Sequence, residues 1–206
     1  MPPKPTNDSN SDASNDASSA ELLQAVQALA QRLAVFEDAL AMRDCVQRYM
    51  ALCDRLDAST DMDALADCFT EDALWLGAGA RYQAAFGGHQ GRAAIVAMLG
   101  RYRGSAPGVS PQQPPHFSFN AHFLCNEQIT ATGPDRALAR WQMLQTSSFN
   151  AGGSHLSAAQ LTLQMARGAD GRWRIARFET ENLLSRPVSS WHTSAALPVP
   201  TPAAGH

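Results

Sequence analysis

Two histidines six residues apart, His116 and His122, open the stretch Pro114 to Gln145, where a turn at Gly133-Pro134-Asp135 separates two strand-like runs. An imidazole ionises near neutral pH and can take or give a proton, which makes it the residue type for general acid or base work. Such work needs an orienting partner, because a carboxylate on the ring's other nitrogen fixes the tautomer and stabilises the protonated form. Asp54 is the candidate. It falls four residues after Met50 and eight after Val46, at the edge of a helical stripe formed by Met42, Cys45, Val46, Tyr49, Met50, Cys53 and Leu56. An unpaired carboxylate on that edge costs free energy. Taken singly, the residues also read structurally: Asp54 satisfied by backbone amides, His122 as a hydrogen-bonding strand residue, and Tyr49 as core.

Further groups could complete a pocket. His116, Asn120 and His122 share one side of an extended chain and could supply donors. Trp75, Tyr82, Phe86, Phe119 and Trp141 could form an aromatic wall suited to a flat apolar ring, although strand aromatics more often fill a core. Asp57, Asp61 and Asp63 read as turn and cap residues, His89 as a turn residue and His155 as an exposed strand start. With no HxH or ExxH pattern, neither a metal nor another cofactor is expected.

The elements that must position these groups follow from punctuation and period. Residues 1–19 are Ser, Asn, Asp, Ala and Pro with little to bury, and are expected to be disordered. From Ala20, capped by Ser18 or Ser19, Leu22, Val26, Leu29, Leu33, Phe36 and Leu40 recur at alternating spacings of four and three. This 20–40 helix either lies on the core of its own domain or pairs with copies of itself. A helix over Met42–Leu56 follows, then a short one over Ala64–Phe69 with Thr60 as its cap. Extended pieces are expected at Thr70–Trp75 and Arg81–Phe86, and a helix at Arg92–Arg103. The Pro- and Gly-rich loop GSAPGVSPQQPP comes next, as lid, pocket wall or insertion. Four strands close the series: Ala121–Thr132, Arg136–Ser148, His155–Arg167 and Arg172–Leu184, the last after a Gly168-Ala169-Asp170-Gly171 turn. In the middle pair Ala137, Ala139, Trp141 and Met143, then Ala159, Leu161, Leu163 and Met165, alternate with polar residues. Helices followed by sequential antiparallel strands describe an α+β domain with a curved sheet enclosing a pocket.

Composition narrows the partners. The 206 residues are 45% hydrophobic with a net charge of -3, which leaves no basic footprint for nucleic acid or an anionic membrane. No apolar run spans a bilayer and no secretory segment opens the chain, so a soluble cytoplasmic protein is expected. Cys45, Cys53, Cys68 and Cys125 read as buried free thiols.

The runs YMALCDRLDASTDMDALADCFTEDALW, GHQGRAAI, HFLCNEQITATG, ALARWQMLQ and GRWRIARFETENLL, in this order, resemble the SnoaL-like branch of the NTF2-like superfamily. The likeness covers about Arg43 to Pro187, within a domain set at 41–187 and followed by a 188–206 tail. It implies an NTF2-like cone and a homo-oligomer, dimer or trimer. Relatives in that branch include scytalone dehydratase, bile-acid 7α-dehydratase and polyketide cyclases. Carried over by motif, their Tyr, Asp and His fall on Tyr49, Asp54 and His122. The resemblance thus implies a cofactor-independent dehydratase or isomerase working on a small hydrophobic cyclic carbonyl compound, steroid-like or polyketide-like. The same fold also serves noncatalytic modules, such as the small subunits of ring-hydroxylating dioxygenases.

Overall fold

The structure, a computed structural model, describes residues 9–191, with side chains from residue 19 onward. The chain falls into two compact units, Met1–Asp44 and Cys45–His206. Helix α1, Ser9–Asp54, begins nine or ten residues before the expected cap at Ser18 or Ser19. Once a helix is nucleated each added residue contributes another hydrogen bond, so polar residues ahead of it can be drawn in. Residues 1–8 and the tail after 191 lie outside the described residues. In the first unit Leu22, Val26, Leu29, Leu33, Phe36 and Leu40 are all more than half exposed.

In the second unit, α2 covers Met62–Asp67 and β1 covers Phe69–Ala78. Next come α3, Gly79–Phe86; β2, Gly88–Gln90; and α4, Arg92–Gly100. Four long strands follow: β3, Phe117–Gly133; β4, Arg136–Phe149; β5, Ser154–Arg167; and β6, Trp173–Val188. They form one open, curved six-stranded sheet in the order β2-β1-β6-β5-β4-β3. All pairs are antiparallel except β1 with β6. This is the α+β architecture expected.

The core follows the two periodicities. Cys45, Val46, Tyr49, Met50 and Cys53 are buried along α1, and Ala137, Ala139, Trp141 and Met143 on β4 face Ala159, Leu161, Leu163 and Met165 on β5. Among the described residues no helix is long and apolar enough to cross a membrane.

Three local readings are corrected. Arg81–Phe86 is not extended but belongs to α3. Its alanines favour a helix, and the four-residue spacing of Tyr82 and Phe86 brings their rings to 5.0 Å. Gly77 permits this packing, since a Cβ there would overlap the Tyr82 carbonyl. The cap of α2 is Asp61, whose carboxylate accepts from the Asp63 and Ala64 amides at 3.1 and 2.9 Å. Thr60 instead gives its hydroxyl to the Arg55 carbonyl and accepts from the Asp57 amide at 2.9 Å. Cys125 is exposed, while the other three cysteines are buried as free thiols. Beside Cys125 the β3–β4 register slips and Asn126 takes a left-handed φ of 53°. Asparagine tolerates that conformation well, and the irregularity spoils the alternation that would bury the thiol.

Candidate active site

The junction of α1 and β3 is built from three hydrogen bonds. β3 is an edge strand of the sheet, and an edge exposes backbone donors that need partners. Asp54, the last residue of α1, supplies one: its Oδ1 accepts the His122 backbone N–H at 3.0 Å. The same oxygen lies 2.6 Å from His122 Nδ1. One residue earlier, the Cys53 carbonyl, left without an intrahelical partner at the helix end, accepts from Asn120 Nδ2 at 3.2 Å. Holding main chain and ring of one residue with one carboxylate oxygen fixes the imidazole's orientation. A carboxylate cannot donate, so Nδ1 carries the proton of this contact, and in the neutral ring Nε2 is the nitrogen with the lone pair. No protein group among the described residues meets Nε2.

His122 is also a wall residue of a partly open cavity of about 130 Å³. Asp54 does not line this cavity; it stands behind the imidazole, its side chain 28% exposed. The wall is otherwise mostly apolar. Trp75 stacks on Phe178 with centroids 5.6 Å apart, and Tyr82, Phe86, Met98, Leu99 and Met143 continue it.

Tyr49 is buried in the wall, and its hydroxyl accepts from Trp75 Nε1 at 3.0 Å. Burial, helped by the neighbouring Cys53 and only partly offset by the Trp75 hydrogen bond, holds the phenol well above its ordinary pKa, so it stays a neutral O–H. Burial likewise pushes the Cys53 thiol up to about 12, removing it as a nucleophile.

The remaining candidates divide. Trp75, Tyr82, Phe86 and Asn120 line the cavity. His116 does not. It sits among Tyr102, Phe117 and Phe149 at centroid distances of 5.2, 4.6 and 5.1 Å, buttressing two rings of the wall from behind. Phe119 is 43% exposed and borders an outer groove with Asp54 and Arg55. Trp141 is buried but lies in the core opposite Leu161, away from the lining. The cause at His116 and Phe119 is a bulge: between Phe117 and Phe119 two β3 residues face one of β4, which reverses the alternation and brings Phe117 into the wall. His155 is half-buried rather than exposed, bracketed by the hydroxyls of Ser157 and Ser185, each at 3.1 Å. Among the described residues no cluster of three or more metal-ligating side chains occurs.

Two polar wall residues went unread, Gln145 and Thr180. Each stands where an apolar alternation meets a polar side chain, after Met143 on β4 and after Phe178 on β6, and that break in pattern was the available signal. The Thr180 hydroxyl is buried without a hydrogen-bond partner.

An open curved sheet holding a pocket against its helices is the architecture of the NTF2-like class. Within it, residues 34–179 match the SnoaL-like domain, and the chain belongs to that family. Many solved structures share the fold, three of them as follows. A provisionally assigned aromatic ring hydroxylase from Novosphingobium aromaticivorans is 22% identical, with a TM-score of 0.60 over 74% of this chain and 94% of that one. A provisionally assigned scytalone dehydratase from the same organism is 20% identical, with a TM-score of 0.57 over 80% and 94%. The hexachlorocyclohexane dehydrochlorinase LinA-type3 from Novosphingobium barchaimii is 19% identical, with a TM-score of 0.54 over 77% and 98%. No curated protein matches.

Proposed function

We propose that the chain is a cofactor-independent lyase of the dehydratase type, or an isomerase, acting on a hydrophobic cyclic substrate that carries a carbonyl group. The observation that carries this reading is the 2.6 Å contact between Asp54 Oδ1 and His122 Nδ1, with Nε2 unpartnered in the wall of an apolar cavity. His122 Nε2 takes the proton from the carbon next to the carbonyl, and the C–H electron pair becomes the new double bond. Asp54 holds the tautomer and stabilises the imidazolium that forms. For a dehydration, the ring then returns the proton to the departing hydroxyl, so that water leaves and the neutral imidazole is restored. For an isomerisation it returns the proton to another carbon. A positioned acid or base of this kind typically contributes about 10²–10⁴-fold.

Tyr49 fits the role of hydrogen-bond donor to the carbonyl oxygen. Its oxygen receives the Trp75 N–H, which polarises its own O–H, and its raised pKa keeps that proton in place. The stacked and edge-on rings around Trp75 suit a flat ring system. Two of the structural neighbours carry the names of a provisionally assigned scytalone dehydratase and a hexachlorocyclohexane dehydrochlorinase, which agrees with a lyase reading.

A screen of hydroxylated ring ketones for a new conjugated absorbance tests the reading. An active compound is expected, and His122→Ala is expected to abolish its turnover with the Tm preserved. Turnover unchanged in His122→Ala refutes the mechanism and favours a ligand-binding or assembly module of the same fold.

A further inference from the structure

The cavity contains a carboxamide that the proton transfer just described leaves unused. Gln145 on β4 is directly opposite His122 on β3. Cross-strand partners on one face carry Cβ atoms about 4.5–5.5 Å apart, and both side chains belong to the cavity wall. The direction in which the Gln145 amide faces is set by a chain of hydrogen bonds that starts at the end of α1. A backbone carbonyl can only accept, so the Cys53 carbonyl must face the NH₂ end of Asn120, which reaches it at 3.2 Å. The oxygen end of Asn120 therefore points the other way, where it accepts from the Ser147 hydroxyl at 2.7 Å and from Gln145 Nε2 at 2.9 Å.

A carboxamide has two N–H donors and two acceptor positions. Asn120 has three of its four in use and is buried, which leaves it little to offer a ligand. Gln145 has one of four in use, is only half-buried, and keeps one N–H and its whole carbonyl oxygen without a protein partner. The open positions of Gln145 are therefore free to meet a ligand group that enters the cavity. A substrate oxygen, brought beside the carbon from which His122 takes a proton, is such a group.

We propose that Gln145 is a second oxyanion donor next to Tyr49, giving its free N–H to the substrate's carbonyl oxygen as charge develops there, and that Asn120 is a positioning residue acting through Gln145. The proposal rests on the reading of Asp54 and His122 as the proton-transfer pair. In the step concerned, the C–H bond next to the carbonyl breaks and its proton goes to His122 Nε2. The electron pair forms a carbon–carbon double bond, and the carbonyl π pair moves onto oxygen, where Gln145 meets it. Return of a proton from the imidazolium to carbon restores the ketone. In heavy water the returned nucleus is deuterium, so the half-reaction is visible without knowing the natural substrate.

The test uses the full chain and 2-tetralone in D₂O, following loss of the α-proton signals by NMR above the uncatalysed rate. Gln145→Met keeps the side chain's length and removes both polar ends; Gln145→Glu replaces the donor with an acceptor. Both are expected to lower the maximal exchange rate by about 100-fold with KM changed less than about threefold, in line with removal of one oxyanion donor. Asn120→Ala is expected to lower the rate about 10-fold in the wild-type background and to cause no further loss in the Gln145→Met background. A residue with a merely structural role would add its loss in both backgrounds. Exchange in both Gln145 variants within threefold of wild type overturns the proposal while leaving the dyad intact, and additive losses overturn the part assigned to Asn120. Absence of enzyme-dependent exchange in the wild type, or exchange unaffected by His122→Ala, overturns the dyad reading itself and this proposal with it.

Discussion

Asp54→Asn is the most informative single substitution, because it leaves nearly every atom in place while removing one charge. In the protonated state of His122 a carboxylate and an imidazolium face each other across the 2.6 Å Oδ1–Nδ1 contact. With the charge centres about 4 Å apart and an effective dielectric constant near 20, their attraction is about 4 kcal/mol. The Asp54 side chain is 28% exposed, so water weakens this figure, and roughly 3 kcal/mol is a fair expectation. A loss of that size in the transition state lowers the rate by about 100-fold. The amide oxygen of asparagine can still accept the His122 backbone N–H, so the helix end stays tied to β3 and the fold should survive. The assay is the initial rate on whichever ring ketone the screen identifies, with thermal unfolding as control. A kcat about 100-fold below wild type, KM near wild type and Tm within a few degrees are expected. An Asp54→Asn enzyme within threefold of wild type would refute the reasoning, since the carboxylate would then not stabilise the charge that forms on His122.

Three further outcomes are expected. Thr180→Val removes a buried hydroxyl that has no partner, a burden of about 1–3 kcal/mol, so the Tm should equal or exceed wild type by a few degrees; a lower Tm would show that the hydroxyl is satisfied. Burial pushes the Asp67 carboxyl up, but Arg174, with nitrogens at 2.8 and 3.2 Å, and Arg172 hold it below the ordinary carboxylate value on balance. A depressed folded pKa stabilises the fold above the unfolded value, near 4, and that contribution fades as pH falls through the folded value. Asp67→Asn should therefore lower the Tm at pH 7, with the gap to wild type closing below pH 4; a gap constant with pH would refute the assignment. Pairing of the exposed apolar stripe of α1 with a copy of the chain predicts that Leu29→Asp with Leu33→Asp lowers the mass measured by light scattering, and an unchanged mass would remove the stripe from self-association.

Much of the fold was legible because it rests on repetition. The α1 stripe from Cys45 to Cys53 is buried as its helical spacing indicates, and the alternating residues of β4 and β5 fill the core as a period of two requires. The Gly168–Gly171 turn joins β5 to β6 as its Asp-Gly pair suggests. Where the pattern was short or interrupted it misled. Arg81–Phe86 is too brief for its period to separate helix from strand, and the helix it forms fits against β1 because Gly77 carries no Cβ.

The candidate site divides along the same line. The sequence by itself determined which residue types were present for chemistry: a carboxylate on the edge of an apolar helix, an imidazole entering a strand and a tyrosine within the stripe. It also carried, unread, the polar interruptions at Gln145 and Thr180. Only the tertiary structure decided which of these meet. Asp54 and His122 are 68 residues apart, and they touch because the end of α1 closes the open edge of β3. A single bulge after Phe117 then turned that ring into the wall and left His116 behind it and Phe119 outside. Chemical character belongs to the residue and can be read anywhere along a chain, whereas facing and contact belong to backbone geometry, where one extra residue reverses every side chain beyond it.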